Sequence, residues 1–305
     1  MFSAKAHWHR LKTLIFTQHA GAHENGFVLV AVIWIAGLLA LVTTALVLQV
    51  RSNTMLSRNI VFNTRAEFMA DGLTQLLALQ IASPSQLAIL KSNGETSYCV
   101  WGDSSRAAFR IQDQAGLVDL NTAAPQLLQA IFVGIGMEQV QATQFYDELV
   151  DFRDADSLAT EGGEEPSLYP KRHYGPKNAP FQSVEELGQL PQINDDRMAR
   201  LRDLVTVYSQ SPGVDGKQAP GILLQALGAS GPTDATLQSF ISPSPFKTFS
   251  IDVLIETKEK ARFLRHAIIA LQQQPGRHFA VLAWQQGVDA SGWAFPVAIN
   301  ALCFN

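Results

Sequence analysis

Two cysteines in 305 residues, Cys99 and Cys303, are too few for a disulfide-built scaffold or a structural zinc site. Charge is scarce as well. Charged residues make up 16% of the chain, low for a soluble protein, and a mean hydropathy of +0.06 places it far from the disordered class. There is no excess of positive charge: the formal net charge is −4, whereas a nucleic-acid binder leans the other way. GxSxG, a phosphate-binding loop and HExxH are all missing, which removes common signatures of hydrolases, nucleotide-binding proteins and zinc proteases. Beyond residue 26 the only histidines are His173, His266 and His278, which suit surface or hydrogen-bonding roles better than catalysis. Proline is absent from Phe27 to Ser83, and the only glycines there are Gly37 and Gly72, so little interrupts a helix over that span.

What the sequence does have is a run without charge, from Asn25 to Val50, behind a polar leader. Phe27–Val50 is long enough, at about 1.5 Å per residue, to cross a hydrocarbon core of roughly 30 Å. Lys5, Arg10 and Lys12 precede it, so the positive-inside rule puts residues 1–26 in the cytoplasm and the C-terminal mass outside. An ordinary signal peptide is a poor match, because its apolar region is shorter and VLQVRS offers no small-x-small cleavage site. Two readings remain: a permanent single-span anchor, and a stem that begins abruptly at Gly26-Phe27. The second resembles the type IV pilin-like class, in which a membrane peptidase cuts after such a glycine and methylates the new N-terminal Phe. Past Arg51, Phe62, Ala66, Met69, Leu73 and Leu76 recur at helical spacing, predicting one helix over 27–82, about 84 Å long, that ends near Ser83-Pro84.

Downstream the pattern changes twice. YCVWG (98–102) and RAAFRIQD (106–113) read as strands. Helical patterns follow at 116–136, with Asp119 and Asn121-Thr122 as cap candidates, at 144–156, and at 183–190 with a Ser183/Glu186 capping box. An internal repeat links two of these units. The set Asp119, Ala123, Leu127, Leu128, Gln129, Ala130 and Ile131 recurs at the same offsets as Asp215, Ala219, Leu223, Leu224, Gln225, Ala226 and Leu227. From Phe246 the period returns to two, with Phe249, Ile251, Val253 and Ile255 on one face, then ARFLRHAIIAL and RHFAVLAWQQG after turns. The fold class expected is α+β. A long N-terminal helix (27–82, with 27–50 transmembrane) packs on an antiparallel sheet from 83–116 and 244–305. An all-helical domain of two related units, 117–243, is inserted between strands.

At this point the chain resembles the minor pseudopilin K family of type II secretion systems. The likeness rests on Gly26-Phe27, DLNTA (119–123), DFRDAD (151–156), GGEEPSLY (162–169), NAPF (178–181) followed by SVEEL, and the closing FAVLAW strand. The family usually has Trp where Phe152 stands and Ala where Gly163 stands. The resemblance implies a non-enzymatic subunit of the bacterial inner membrane with its head in the periplasm. It would prime and cap the pseudopilus, with other minor pseudopilins beside it in a tip complex and the major pseudopilin below. A prepilin peptidase would release Phe27.

Three residue groups carry specific expectations. Most pilin-like subunits have Glu at the fifth mature position, where it pairs with a neighbour's N-terminal amine in an apolar filament core; here that position is Ala31. A subunit lacking that carboxylate fits where nothing lies above, although an anchor that never polymerises would also lack it. Between Asp147 and Glu165 lie eight acidic residues and one basic, Arg153, expected as an ion-pair partner of nearby acids. Asp147, Glu148 and Asp151 read as a solvated helix face. The glycine-hinged remainder has the oxygen donors calcium takes, without EF-hand spacing. The resemblance implies calcium in the helical domain, with Asp154, Asp156, Glu164 and Glu165 as candidate ligands and Asn178 as a carbonyl candidate. An oxidising periplasm also permits a Cys99–Cys303 disulfide.

Pieces of the insert resemble a helix–hairpin–helix DNA module. Yet Met137-Glu138 and the acidic run follow its GIG, and the second hairpin reads LPQIND, so no nucleic-acid partner is expected. Other readings are a minor pilin of a type IV pilus priming complex, a membrane-anchored helix–hairpin–helix DNA-binding protein, and a plain membrane-anchored binding protein.

Overall fold

The computed structural model describes residues 25–87, 89–102, 104–155, 175–229, 231–274, 277–287, 293–299 and 301–303. A single α-helix, α1 (Asn25–Ile81), opens the described chain. It begins two residues before Phe27 and crosses the boundary between two compact units, residues 1–60 and 61–305. In the first unit its side chains from Phe27 onward are exposed, apart from half-buried Ala31. By length and composition this helix could cross a membrane, with a mean hydropathy of 2.6 in its best window. Three of its threonine hydroxyls are satisfied within the helix: Thr43, Thr44 and Thr54 each donate to a carbonyl four residues back. Such back-bonding suits an apolar solvent, where a free donor is costly.

In the second unit α1 changes character. Ala66, Ala70, Leu73, Leu77 and Ile81 recur every three or four residues and are fully buried. They lie on a five-stranded antiparallel sheet, whose strands follow here in sheet order. Its strands are β1 (Ser97–Trp101), β2 (Ser105–Asp113), β5 (Thr248–Glu256), β6 (Arg262–Gln274) and β7 (Arg277–Gln286). The partners of the helix are Cys99, Ile111, Phe249, Ile251, Val253, Ile255 and Ile269. Each such large aliphatic side chain contributes roughly 1.5–3 kcal/mol on burial. A polar clasp adds direction: buried Arg265 on β6 donates to Asp71 (2.6 Å) and Glu67 (3.2 Å) of α1. Its guanidinium also lies 4.9 Å from the Phe263 ring centre. After α1 ends, one helical turn, α2 (Pro84–Leu87), leads towards β1.

Period two on β5 predicts one polar face, but Leu254 is buried as well. With Ala108, Leu264 and Trp293 it forms a small core on the sheet's other face, where Trp293 and Phe295 from the C-terminal segment lie over Arg110 and Arg106. Cys99 and Cys303 form a disulfide with Cα atoms 4.8 Å apart.

The insert leaves from β2 and returns to β5, two strands that pair directly, ending at Asp113 opposite Phe249. It contains β3 (Val118–Asp119), α3 (Pro125–Gly134), α4 (Gln139–Arg153), α5 (Asp195–Arg202), β4 (Val205–Thr206) and α6 (Gly221–Ala226). Its core is its own, built around Leu127, Leu128, Phe132, Phe145, Phe152 and Leu223. Asp119 is not a helix cap. It sits on β3, which pairs in parallel with β4, and α3 starts later because Pro125 suits a first helical position. Nor does Ser183 close a capping box. Residues 184–189 form a 3-10 helix, Ser183 makes no side-chain cap, and Glu186 accepts instead from the Gln182 amide (3.2 Å) and Lys177.

The repeat is visible as a shared device. Asp119 Oδ1 accepts from the amides of Asn121 and Thr122, and Asp215 Oδ1 accepts from the amide of Lys217. The second oxygens reach back to the returning chain, at the Gln210 amide and the Ser244 amide respectively, both 2.8 Å. Val118 pairs in parallel with Val205, and Val214 with Ile241.

Candidate assembly surface

Past the membrane-length run, three large apolar residues stand on the face of α1 turned away from the sheet, among exposed Thr64, Arg65 and Gln75. Val61, Phe68 and Leu79 lie within a narrow angular sector, with Leu76 beside it. Phe68 is 70% exposed. The sequence periodicity followed mainly the buried face of this helix, with Ala66 and Leu73 buried, Phe62 and Met69 half-buried, and Leu76 exposed. The opposite stripe, spaced at 7 and 11 residues, was equally readable but hidden behind the stronger signal.

Gly26 and Phe27 lie inside the first turns of α1, and Ala31 in the next. No carboxylate lies on α1 before Glu67, so this helix offers an adjacent amine nothing to pair with near its start.

The acidic region divides differently from the sequence reading. Glu148 and Asp151, expected on a solvated helix face, are buried on α4, at 3% and 6% exposure. Period counting alone cannot show which neighbour covers a helix face, and here the covered face carries two acids. Among the described residues, Arg153 donates to the backbone carbonyl of Leu120, next to Asp119. Burial draws its pKa down, while Tyr146, Asp119 and Asp154 pull the other way. Asp154 caps the end of α4. The Asn178 amide donates to the Phe152 carbonyl (2.9 Å), which brings Asn178 close to Asp154 in space. Asp156, Glu164 and Glu165 lie outside the described residues. Among the described residues, no group of three or more His, Cys, Asp or Glu is placed to hold a metal ion.

The motif residues around this region do structural work. Asn121 closes a two-bond clamp with Phe181, its Nδ2 donating to the Phe181 carbonyl (2.9 Å) and its Oδ1 accepting from the Phe181 amide (2.8 Å). Phe152 stacks on Phe181 at 5.1 Å between ring centres. The DLNTA, DFRDAD and NAPF segments therefore meet at one place, although they are far apart in sequence. The basic side chains near the GIG turn are also engaged. Arg200 donates to the Ile135 carbonyl (3.0 Å) at the end of α3, and Arg197 donates to the Gln192 carbonyl (2.7 Å). A phosphate-gripping hairpin would need such groups turned outward.

Comparison with known proteins agrees with this architecture. Residues 109–210 match the family model described as Type II secretion system (T2SS), protein K. The family resemblance holds. The matched segment runs from β2 to the Gln210 amide that closes on Asp119, so it takes in the first repeat unit together with the Asn121–Phe181 clamp. Among solved structures, the chain is similar to one in the crystal structure of the GspK-GspI-GspJ complex from the enterotoxigenic Escherichia coli Type 2 Secretion System. The TM-score is 0.54 at 16% identity, covering 79% of this chain and 100% of that one. At that identity the likeness speaks for the fold. No curated protein sequence matches the chain.

Proposed function

We propose that this chain is a minor pseudopilin at the tip of a type II secretion pseudopilus, acting by assembly and not by catalysis. The observation that carries the reading is the exposed set Val61, Phe68 and Leu79 on the outer side of α1, beyond the segment that would lie in lipid. Cover by other helices would take these three side chains out of water. Those helices belong, on this reading, to other minor pseudopilins, as the name of the similar complex suggests. A prepilin peptidase cuts after Gly26 and leaves methylated Phe27 as the N-terminus. The chain then sits in the inner membrane by residues 27–50 with its head in the periplasm. Ala31 offers no carboxylate to a subunit above, and the insert adds bulk on the head, so growth stops here and the major pseudopilin extends below.

Calcium belongs to the same proposal. The donor set formed by Asp154 and Asn178, with Asp156, Glu164 and Glu165, consists of carboxylate and amide oxygens, which suit a hard cation and not zinc. A bound ion would fix the turn after α4 against the Phe152–Phe181 stack.

Co-expression of the full chain with the other minor subunits encoded beside it tests the assembly reading. Phe68→Glu places a charge on the stripe without entering the sheet core, and should cut recovery of the complex by about tenfold or more, the effect of roughly 1.4 kcal/mol. The co-purified chain should also begin at Phe27 by mass spectrometry. Unchanged recovery with Phe68→Glu, or a functional complex that retains residues 1–26, would refute it.

A further inference from the structure

Where the apolar run of α1 stops, the composition changes at once. Residues 51–59 read RSNTMLSRN, with two arginines, several short polar side chains and no Asp or Glu. All nine are exposed. The first carboxylate on α1 is Glu67, nine residues beyond Arg58 and on the opposite side of the helix, so the helix itself offers these cations no partner.

Height and direction place the two arginines. At about 1.5 Å per residue, Arg51 stands about 1.5 Å past the end of the Phe27–Val50 run, and Arg58 about 12 Å past it. Headgroups add about 5–7 Å on each side of a hydrocarbon core of roughly 30 Å. Side chains of an α-helix lean towards its N-terminus, which here is the membrane side. The long Arg58 side chain therefore reaches back towards the layer that already surrounds Arg51. The donors also point all round the helix. Arg51 with Arg58, Ser52 with Asn59, and Asn53 with Ser57 form three rows about a third of a turn apart. A single neighbouring helix would meet one of these rows, whereas a layer of headgroups meets all three.

We infer that Arg51 and Arg58 bind the phosphates of lipid headgroups at the outer surface of the inner membrane and so fix the depth of the stem. This rests on the reading of residues 27–50 as the membrane-spanning segment. Arginine suits the task, because its guanidinium stays charged and forks onto two phosphate oxygens. Loss of residues 1–26 removes Lys5, Arg10 and Lys12, which leaves Arg51 and Arg58 as the only charged side chains from Phe27 to Asn59. The processed stem is then held from its outer side. Each arginine at an anionic surface is worth about fivefold in affinity, weak enough for the subunit to be drawn upward during assembly.

The test uses the full-length chain, labelled at arginine Cζ and reconstituted in vesicles of phosphatidylethanolamine and phosphatidylglycerol. Arg10→Gln in every sample removes the leader's arginine from the comparison. Insertion is checked first, as resistance to an alkaline carbonate wash. Carbon–phosphorus recoupling in solid-state NMR should then show guanidinium carbons against lipid phosphorus, and Arg51→Gln/Arg58→Gln should lose most of that signal. In native mass spectrometry from a neutral detergent, the same double variant should bind phosphatidylglycerol about tenfold or more weakly. A chain that inserts but whose double variant keeps the full phosphorus signal, or its lipid affinity, would overturn the inference and leave the tip reading standing. Loss of the signal on co-reconstitution with the other minor subunits would assign the arginines to a partner's carboxylates and overturn it as well. A chain that fails to insert would remove both.

Discussion

Replacing Gly134 by alanine tests how the two halves of the insert are joined. Gly134 ends α3, and a Cβ there would lie 2.2 Å from the carbonyl oxygen of Ala226 and 2.8 Å from its carbonyl carbon. Both are main-chain atoms at the end of α6, so they cannot swing aside as a flexible side chain would. Helix propensity argues the opposite way, because Gly→Ala inside a helix is worth about 0.5–1 kcal/mol in favour of alanine. Carbon–oxygen contacts of this type settle at roughly 3.3–3.6 Å, so α3 and α6 would have to part by about 1 Å. Forcing packed elements apart typically costs about 1–3 kcal/mol. The clash wins, with a net loss of about 1–2 kcal/mol. At about 2–4 °C per kcal/mol for a domain of this size, the melting temperature falls by about 2–8 °C. Near-ultraviolet circular dichroism of the full chain in detergent would follow the melt. Gly188→Ala, where nothing lies within 4 Å of the added carbon, should be neutral and serves as control. A Gly134→Ala protein that melts at or above the wild type would refute the close contact between the repeat units.

The Cys99–Cys303 bond spans a sequence separation of 204, so the paired serine variant should lose about 2–5 kcal/mol by urea titration. A loss under about 0.5 kcal/mol would mean that the pinned C-terminal segment contributes little. His266 Nδ1 lies 2.6 Å from Asp252. Burial alone would lower its pKa, but the hydrogen bond and charge of Asp252, with a smaller contribution from Glu185, hold it above the usual value. The stabilisation is therefore fully present below pH of about 6.5 and lost as pH rises through the higher folded-state value. The stability gap between wild type and His266→Gln should shrink between neutral and alkaline pH, and a gap that widens would contradict the sign. Calcium added to chelator-stripped protein should raise the melting temperature in proportion to the logarithm of its concentration, and Asp154→Asn should blunt the response. No shift at millimolar calcium would remove the site.

Much of the fold was legible because its signals are local. A long proline-free stretch and a helical stripe announce α1, and the two-residue alternation from Phe249 to Ile255 announces β5. What escaped was set by distance. β3 and β4 are two residues each, too short for any period, and their pairing joins Val118 to Val205 across the whole first half of the insert. Asp119 followed by Asn121-Thr122 has the composition of a helix cap, and only the parallel pairing shows that its carboxylate ties a turn to Gln210 instead. The burial of Glu148 and Asp151 depends on which segment lies against α4, a fact that one helix's sequence does not contain.

The junction of insert and sheet explains how a fold built on a helix and a sheet can carry so much added bulk. β2 and β5 are hydrogen-bonded neighbours whose ends meet at Asp113 and Phe249, so a short turn could join them. The insert occupies the place of that turn. Its two ends are bound to each other: Ser244 Oγ donates to Asp113 (2.6 Å), and the Ser244 amide donates to Asp215 (2.8 Å). Burial pushes the Asp113 carboxyl above its usual range, and the bonds from Ser244 and the Ala115 amide offset part of that. The two cores share no residue, one being built on α1 and the sheet and the other on α3, α4 and α6. Polar pairs such as Gln114–Ser250 and Ser92–Gln218 link the two parts. A domain joined in this way can vary in size without disturbing the helix-on-sheet packing. On the proposed assembly reading, that independence would leave the stem free to match its neighbours whatever the size of the head.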